Sequence, residues 1–119
     1  MAQNEVSHTC GTKKITYPAG STFVCVCPAN GKCTWTVILS DGTVFSGTEL
    51  KSPTTPPKPP HVAIDGNLSL AAVAFQRVLK RRVVVPADLR NTKLSKKHFK
   101  GTAREVAAML GLQVTTRPA

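Results

Sequence analysis

Hydrophobic side chains recur at helical spacing in one stretch of the second half of the chain. Between Asn67 and Lys80 they stand three and four positions apart, at Leu68, Ala71, Ala72, Phe75, Val78 and Leu79. A helix gathers these side chains on one face, while Gln76, Arg77 and Arg81 lie on the other. The pattern therefore predicts an amphipathic helix with a basic outer face.

Short β-branched runs surround this helix. Residues 62–64 precede it and residues 83–85 follow it, and a Gly or Pro comes shortly after each run. Runs of this length and composition are typical of strands. Residues 94–99 predict a third strand, and because Leu94 is out of alternation with Phe99, this strand is expected to carry a bulge.

A second helix is predicted after the third strand. Thr102 and Glu105 have the S/T-x-x-E spacing that satisfies the free amides of a helix start, and Gly111 suits a left-handed helix end. Residues 113–116 then read as a last strand. The predicted order of the second half is β-α-β-β-α-β.

The first half alternates β-branched or aromatic runs with turn residues. The runs cover residues 13–17, 22–27, 33–40 and 43–46, and Asn30-Gly31 and Asp41-Gly42 are strong hairpin signals. We expect a small antiparallel β-meander, with the residues before Cys10 as a loose tail. The predicted fold class is α+β.

All four cysteines lie in this β half, at Cys10, Cys25, Cys27 and Cys33. So small a meander buries little apolar surface, and small exported domains commonly compensate with disulfides. Cys25 and Cys27 share a strand face, and a five-residue loop sets Cys27 opposite Cys33. The preferred pairing is Cys27–Cys33 with Cys10–Cys25, although four cysteines allow three pairings. A metal site and free thiols are the alternatives, but the spacing lacks the C-x2-C knuckle of structural zinc.

The middle of the chain is rich in proline. Residues 51–60 hold five prolines, which favour an extended, stiff tether over a ligand for proline-binding domains. The sequence therefore predicts three segments: a cysteine-containing β-meander at 1–50, a linker at 51–60 and an α+β domain at 61–119. We expect the two halves to fold separately, although a last strand of one half pairing with an edge of the other is an alternative.

Positive charge is concentrated in the second half. Residues 51–119 hold thirteen Lys or Arg against three carboxylates, so the whole net charge of +10 lies there. Such a surface favours acidic proteins, nucleic acid or anionic glycolipid, and the alternative is a solvated face without a specific ligand. The candidate partner-binding residues form two clusters: Arg77, Lys80, Arg81 and Arg82, and then Lys93, Lys96, Lys97 and Lys100.

Catalytic chemistry has no support in the spacing of residues. His8, His61 and His98 stand in a tail, a linker end and a charged strand, and we expect each at the surface. The carboxylates are scattered singly, and no nucleophile, metalloprotease or nucleotide motif is present. We predict that the chain is not an enzyme and needs no cofactor or metal.

The second half resembles the secretin and TonB short amino-terminal domain, the STN family. The resemblance lies in Gly66-Asn-Leu-Ser-Leu70 at the helix entrance, Val83-Val-Val-Pro-Ala-Asp-Leu89, and Phe99 through Leu112, with Gly101-Thr102 opening the second helix. It covers residues 61–119, about half of the chain.

The resemblance implies a protein-interaction module of the cell envelope. Domains of this family dock onto partners in outer-membrane secretion channels and TonB-dependent assemblies, so we expect a periplasmic or outer-membrane-associated adaptor that uses a helix face or a sheet edge. The sequence has no membrane-spanning stretch, and Met1-Ala-Gln-Asn4 fits a processed start with an added Met or an unprocessed cytosolic start. The alternative function is a basic polyanion-binding protein for nucleic acid, glycolipid or peptidoglycan.

Overall fold

The computed structural model describes residues 5–29, 31–50 and 59–118. Two helices and nine strands occur in these ranges, together with one short 3-10 turn at Ala87–Leu89. The elements are β1 Glu5–Cys10, β2 Lys13–Pro18, β3 Thr22–Cys27, β4 Cys33–Ile38, β5 Val44–Glu49, β6 His61–Asn67, α1 Leu68–Leu79, β7 Arg81–Val84, β8 Lys93–Lys100, α2 Ala103–Met109 and β9 Gln113–Pro118. The α+β class and the β-α-β-β-α-β order of the second half are as predicted, while most of the proline segment, residues 51–58, lies outside the described residues.

One five-stranded antiparallel sheet runs through both halves of the chain, in the order β5-β4-β3-β6-β8. Its central joint is the pairing of β3 with β6, from Phe23 opposite Asp65 to Cys27 opposite His61. The two halves therefore share one sheet, contrary to the expectation that they fold separately, and the pairing joins β3 with β6 instead of a last strand with a sheet edge. The pairing follows from β3 itself, whose six residues are all buried and need cover on both edges and both faces.

The amino-terminal strands differ from the predicted meander. Residues 5–10 form β1 instead of a loose tail, and β2 pairs with β1 in a separate hairpin instead of with β3. The reason is visible in β1, where Val6, His8 and Cys10 alternate toward the protein and Gly11 turns the chain with a positive φ of 63°. Only β3, β4 and β5 form the meander.

The two faces of the large sheet are covered by different elements. Residues of β3 alternate, so that Val24 and Val26 pack under the helices while Phe23, Cys25 and Cys27 pack under the β1–β2 hairpin. Phe75 of α1 and Val106 of α2 are fully buried in the helix-side core. That core contains residues from both halves, so neither half encloses a complete core of its own.

Local signals set the ends of both helices. The Asn67 side chain accepts a hydrogen bond from the Ser69 amide at the start of α1, and Lys80 ends it in a left-handed conformation with φ 56°. Thr102 and Glu105 form the predicted capping box of α2, and Gly111 follows that helix with a positive φ of 84°. The short β7–β9 pair then packs against α1 and α2 through Val83 and Leu112.

The predicted irregularity in the third strand of the second half is confirmed. The register of β6 with β8 shifts between Ile64 and Gly66, and Lys96 on β8 has a positive φ of 46°. A bulge of this kind re-aims side chains and increases the local twist. Here it brings Asp65 and the backbone of Lys96 together on the hairpin side of the sheet.

Candidate interaction surfaces

The cysteines form two disulfides inside the hairpin-side core. Cys10 is bonded to Cys25 and Cys27 to Cys33, with Cα separations of 5.8 and 4.2 Å, which confirms the preferred pairing. The Sγ atoms of Cys25 and Cys27 are 3.7 Å apart, a contact between two disulfides that carries no proton. Three of the sulfurs lie within 4.8 Å of one another, but oxidised sulfur is not the thiolate that binds a metal.

Asp65 is the centre of a polar cluster that sequence reasoning missed. The Tyr17 hydroxyl donates to its Oδ2 at 2.9 Å, His8 Nε2 lies 3.4 Å from the same oxygen, and the Lys96 amide donates to Oδ1 at 3.3 Å. His8 also stacks on Phe23, with ring centroids 5.1 Å apart. His8 is only 13% exposed in its side chain, so its expected surface position is wrong.

The environment of Tyr17 favours its neutral form. Burial raises the pKa of its phenol first, and the hydrogen bond to Asp65 and the negative charge of that carboxylate raise the pKa further. Ionisation would place a second negative charge beside Asp65 inside the core. The neutral Tyr17 phenol therefore links the β1–β2 hairpin to β6 through its hydrogen bond to Asp65.

The sequence could have indicated part of this cluster. The alternation of Val6, His8 and Cys10 is the pattern of a half-buried strand, and it places the His8 ring on the inner face. The partners are 48 and 57 positions apart, however, and no motif connects residues at such separations. Only the fold brings them together.

The predicted basic residues are all exposed, and the structure keeps them in two groups. Arg77, Lys80, Arg81 and Arg82 surround the end of α1 and the start of β7, whereas the lysine group lies along β8. Residues 59–118 contain eleven Lys and Arg, and within the described part of the chain none of them lies within ion-pair distance of a carboxylate. Arg90, which sequence reasoning omitted, lines an open groove with Arg82 along β7.

The two groups lie apart along the sheet. Arg77 lies over β4, and β8 is three strands away in the sheet order, which corresponds to roughly 14 Å at the usual strand spacing. The clusters therefore offer two separate cationic surfaces.

The two edges of the large sheet have opposite character. Edge strand β8 carries four exposed lysines and a bulge, the features that protect an edge from pairing with another chain. Edge strand β5 carries no Lys, Arg or Pro and pairs with β4 over six residues without a register shift. Phe45 on β5 is 52% exposed and Leu50 just beyond it is 63% exposed, so this edge presents large apolar side chains to solvent.

A tryptophan supports the open edge from beneath. A Cβ atom at Gly47 would lie 2.8 Å from three ring atoms of Trp35, so the indole lies directly on the backbone of β5. The indole Nε1 is buried and has no hydrogen-bond partner among the described residues. A side chain at position 47 would collide with the indole, so glycine is required for this close contact between β5 and Trp35.

Comparison with protein-family models, curated proteins and solved structures found no match to this chain. The resemblance to the STN family thus stays a prediction. No helix in the described ranges has the length and apolar character needed to cross a membrane.

Proposed function

We propose that this protein is an interaction module of the bacterial cell envelope, an adaptor that docks a partner protein by strand addition at β5. The open edge of β5, with exposed Phe45, no Lys, Arg or Pro and no register shift, is the observation that carries the proposal. Backbone hydrogen bonds to β5 supply affinity, and an apolar side chain of the partner covers Phe45.

The basic surfaces select the partner by charge. The unpaired cations on α1, β7 and β8 contribute to the net charge of +10, which accelerates encounter with an acidic partner and disfavours a basic one. The lysines of β8 also disfavour pairing at the opposite edge, so of the two edges of the large sheet β5 is the one open to docking.

The cellular setting of the proposal is the periplasm or the outer-membrane surface. Two disulfides fit an oxidising compartment, and the STN resemblance of residues 61–119 points to an outer-membrane secretion assembly or a TonB-dependent transport or signalling assembly. In this setting the chain is an accessory protein without catalytic chemistry or cofactor.

Site-specific photo-crosslinking tests the docking edge. A benzophenone amino acid in place of Phe45 should crosslink an envelope protein in cells that produce the chain, whereas the same probe at exposed Thr16 on the hairpin should not. Phe45→Lys should abolish recovery of that partner, and Thr16→Lys, which adds the same charge elsewhere, should retain it. Equal recovery with both lysine variants, or a cytosolic partner, would refute the proposal.

A second candidate function is polyanion binding, which the eleven unpaired cations of residues 59–118 favour. In that case affinity for duplex DNA or anionic glycolipid should fall steeply with added salt as counterions are released. The double variant Arg77→Glu/Arg81→Glu should abolish this binding while the fold survives, because both side chains are exposed. A complex with an envelope protein that is insensitive to salt would instead favour the adaptor.

A further inference from the structure

A groove lined with hydroxyl groups lies between α1 and the outer strands β4 and β5. Its volume is about 320 Å³, and it is lined by Thr34, Thr36, Ser46, Arg77 and Val78. Helix α1 packs over β3 and β6 and reaches β4. The helix-side surface of β5 is therefore only partly covered, which leaves the groove open beside the end of the helix.

The strand register arranges the hydroxyls in pairs. Thr36 lies directly opposite Ser46, and Thr34 lies directly opposite Thr48, so all four side chains are on the helix side of the sheet. Opposite residues in antiparallel strands have Cβ atoms about 5 Å apart, close enough for two hydroxyls to bind one polyatomic ion. None of the side-chain hydrogen bonds between described residues uses these four hydroxyls.

The composition of these pairs changes along the strands. At the other end of the same face, Ile38 lies opposite Val44 and both join the apolar core. Val would form strands as well as Thr at the remaining positions, so strand propensity does not require hydroxyls there. The hydroxyls of Thr34, Ser46 and Thr48 are partly or fully exposed and so are available to a ligand, and Thr36, which is 2% exposed, lines the groove beside them.

Arg77 supplies the charge above these hydroxyls. It is exposed in the last turn of α1, where the helix dipole favours a cation. The dipole accounts for the positive charge at this position but not for the hydroxyl groups on β4 and β5 beneath it. Among the described residues no carboxylate lies within ion-pair distance of its guanidinium. The nearby Glu49 lies on the other face of the sheet, where it contacts Lys13 at 3.6 Å.

We propose that this groove binds a phosphate or sulfate group. The planar guanidinium of Arg77 holds two oxygens of the ion, and hydroxyls of Thr34, Thr36 and Ser46 donate to the others. The field of Lys80, Arg81 and Arg82 beyond the helix end adds to the attraction. This site is independent of strand addition at β5 and of diffuse polyanion binding.

Amide chemical shifts measured with inorganic phosphate test the site. At constant ionic strength, phosphate and sulfate should give saturable shifts at residues 34–36, 46–48 and 77–78, whereas chloride should not. A hexose phosphate is added as a second probe. Tighter binding of the ester would identify an organic phosphate as the ligand, and equal binding would identify the free anion; failure of all three oxyanions to bind would overturn the proposal.

Matched variants separate a built site from a general positive field. Arg77→Gln should weaken phosphate binding at least tenfold, and Thr34→Val with Ser46→Ala should weaken it several-fold. Arg104→Gln removes the same charge from exposed α2 and should change the affinity less than twofold. Equal losses in the Arg77 and Arg104 variants, or shifts along β8 in place of the groove, would overturn the proposal.

The urea midpoint of each variant reports its fold, and Phe45→Lys should leave phosphate binding intact even though it abolishes docking at β5.

Discussion

Asp65 binds donors from three strands, namely the ring of His8 on β1, the hydroxyl of Tyr17 on β2 and the backbone amide of Lys96 on β8. Its position at a bulge explains this, because the register shift between Ile64 and Gly66 brings the backbone amide of Lys96 within hydrogen-bonding distance of its carboxylate. The carboxylate therefore ties the amino-terminal hairpin to the sheet of the second half.

Replacing Tyr17 with Phe should lower the free energy of unfolding by about 1–2 kcal/mol at neutral pH. The phenol donates a hydrogen bond to a charged acceptor, and partial exposure of that acceptor places the loss near the low end of the usual range. Urea unfolding of both proteins measures the difference. A change below about 0.5 kcal/mol would mean that solvent replaces the bond fully.

The pH dependence follows from the same bond. Because the pKa of Tyr17 is raised in the folded state, its contribution is fully present below the unfolded pKa of about 10 and is lost as the pH rises above it. Wild-type stability should therefore fall more steeply above pH 10 than that of Tyr17→Phe. Tyr17 is the only tyrosine, so absorbance near 295 nm reports its ionisation directly. Ionisation near pH 10 in protein with a native circular dichroism spectrum would contradict this account.

At the scale of elements, β3 organises the molecule. All six of its residues are buried, it pairs with β4 and β6, and both of its faces are covered. The sequence Thr22-Phe-Val-Cys-Val-Cys27 has no charged position, which is typical of a strand enclosed on both faces. The burial of β3 could therefore be predicted from the sequence. Its pairing with β6 could not, because pairing across residues 51–58 leaves no local sequence pattern.

The helices were predictable for the opposite reason. Their starts are set locally, with Thr102 and Glu105 three residues apart and Asn67 bonded two residues ahead, so each helix start could be found from the sequence. The shared face of Cys25 and Cys27 and the short loop to Cys33 favoured the observed disulfide pairing, but three pairings stayed possible from the sequence. The candidate surfaces were harder to predict from the sequence. The exposure of Phe45, for example, depends on β5 being an edge strand of the sheet.

The two disulfides should stabilise the protein to different extents. Cys10–Cys25 closes a loop of 15 residues and Cys27–Cys33 a loop of 6, so their removal should cost about 3 and about 2 kcal/mol from loop entropy. The paired variants Cys10→Ala/Cys25→Ala and Cys27→Ala/Cys33→Ala in urea unfolding measure this. Only the first pair joins the hairpin to β3, so it alone should increase proteolysis within residues 5–18. Equal proteolysis in both variants would show that the hairpin is held mainly by Asp65 and the stacked rings.

At the scale of the whole molecule, the proline-rich segment divides the charge but not the fold. The net charge of +10 lies entirely in residues 51–119, yet β3 of the first half lies between β4 and β6 in the sheet. Val24, Val26 and Ile38 of the first half are buried against the helices of the second. Composition therefore predicted a boundary in the sequence where the structure has a continuous core.

A chain cut by an engineered protease site within residues 51–58 should consequently remain one folded complex. Both disulfides lie within the first half, so only the β3–β6 pairing and the shared core hold the two pieces together. The cut protein should co-elute at the size of the intact 12.7 kDa chain, whereas the isolated fragment 59–119 should lack cooperative unfolding. Val24→Asp, which places a charge at a site 1% exposed on β3, should release the pieces, and Thr16→Asp on the exposed hairpin surface should not. Separate elution of two pieces that each unfold cooperatively would show that β3 is dispensable to the second half, and that the shared sheet contributes little to its stability.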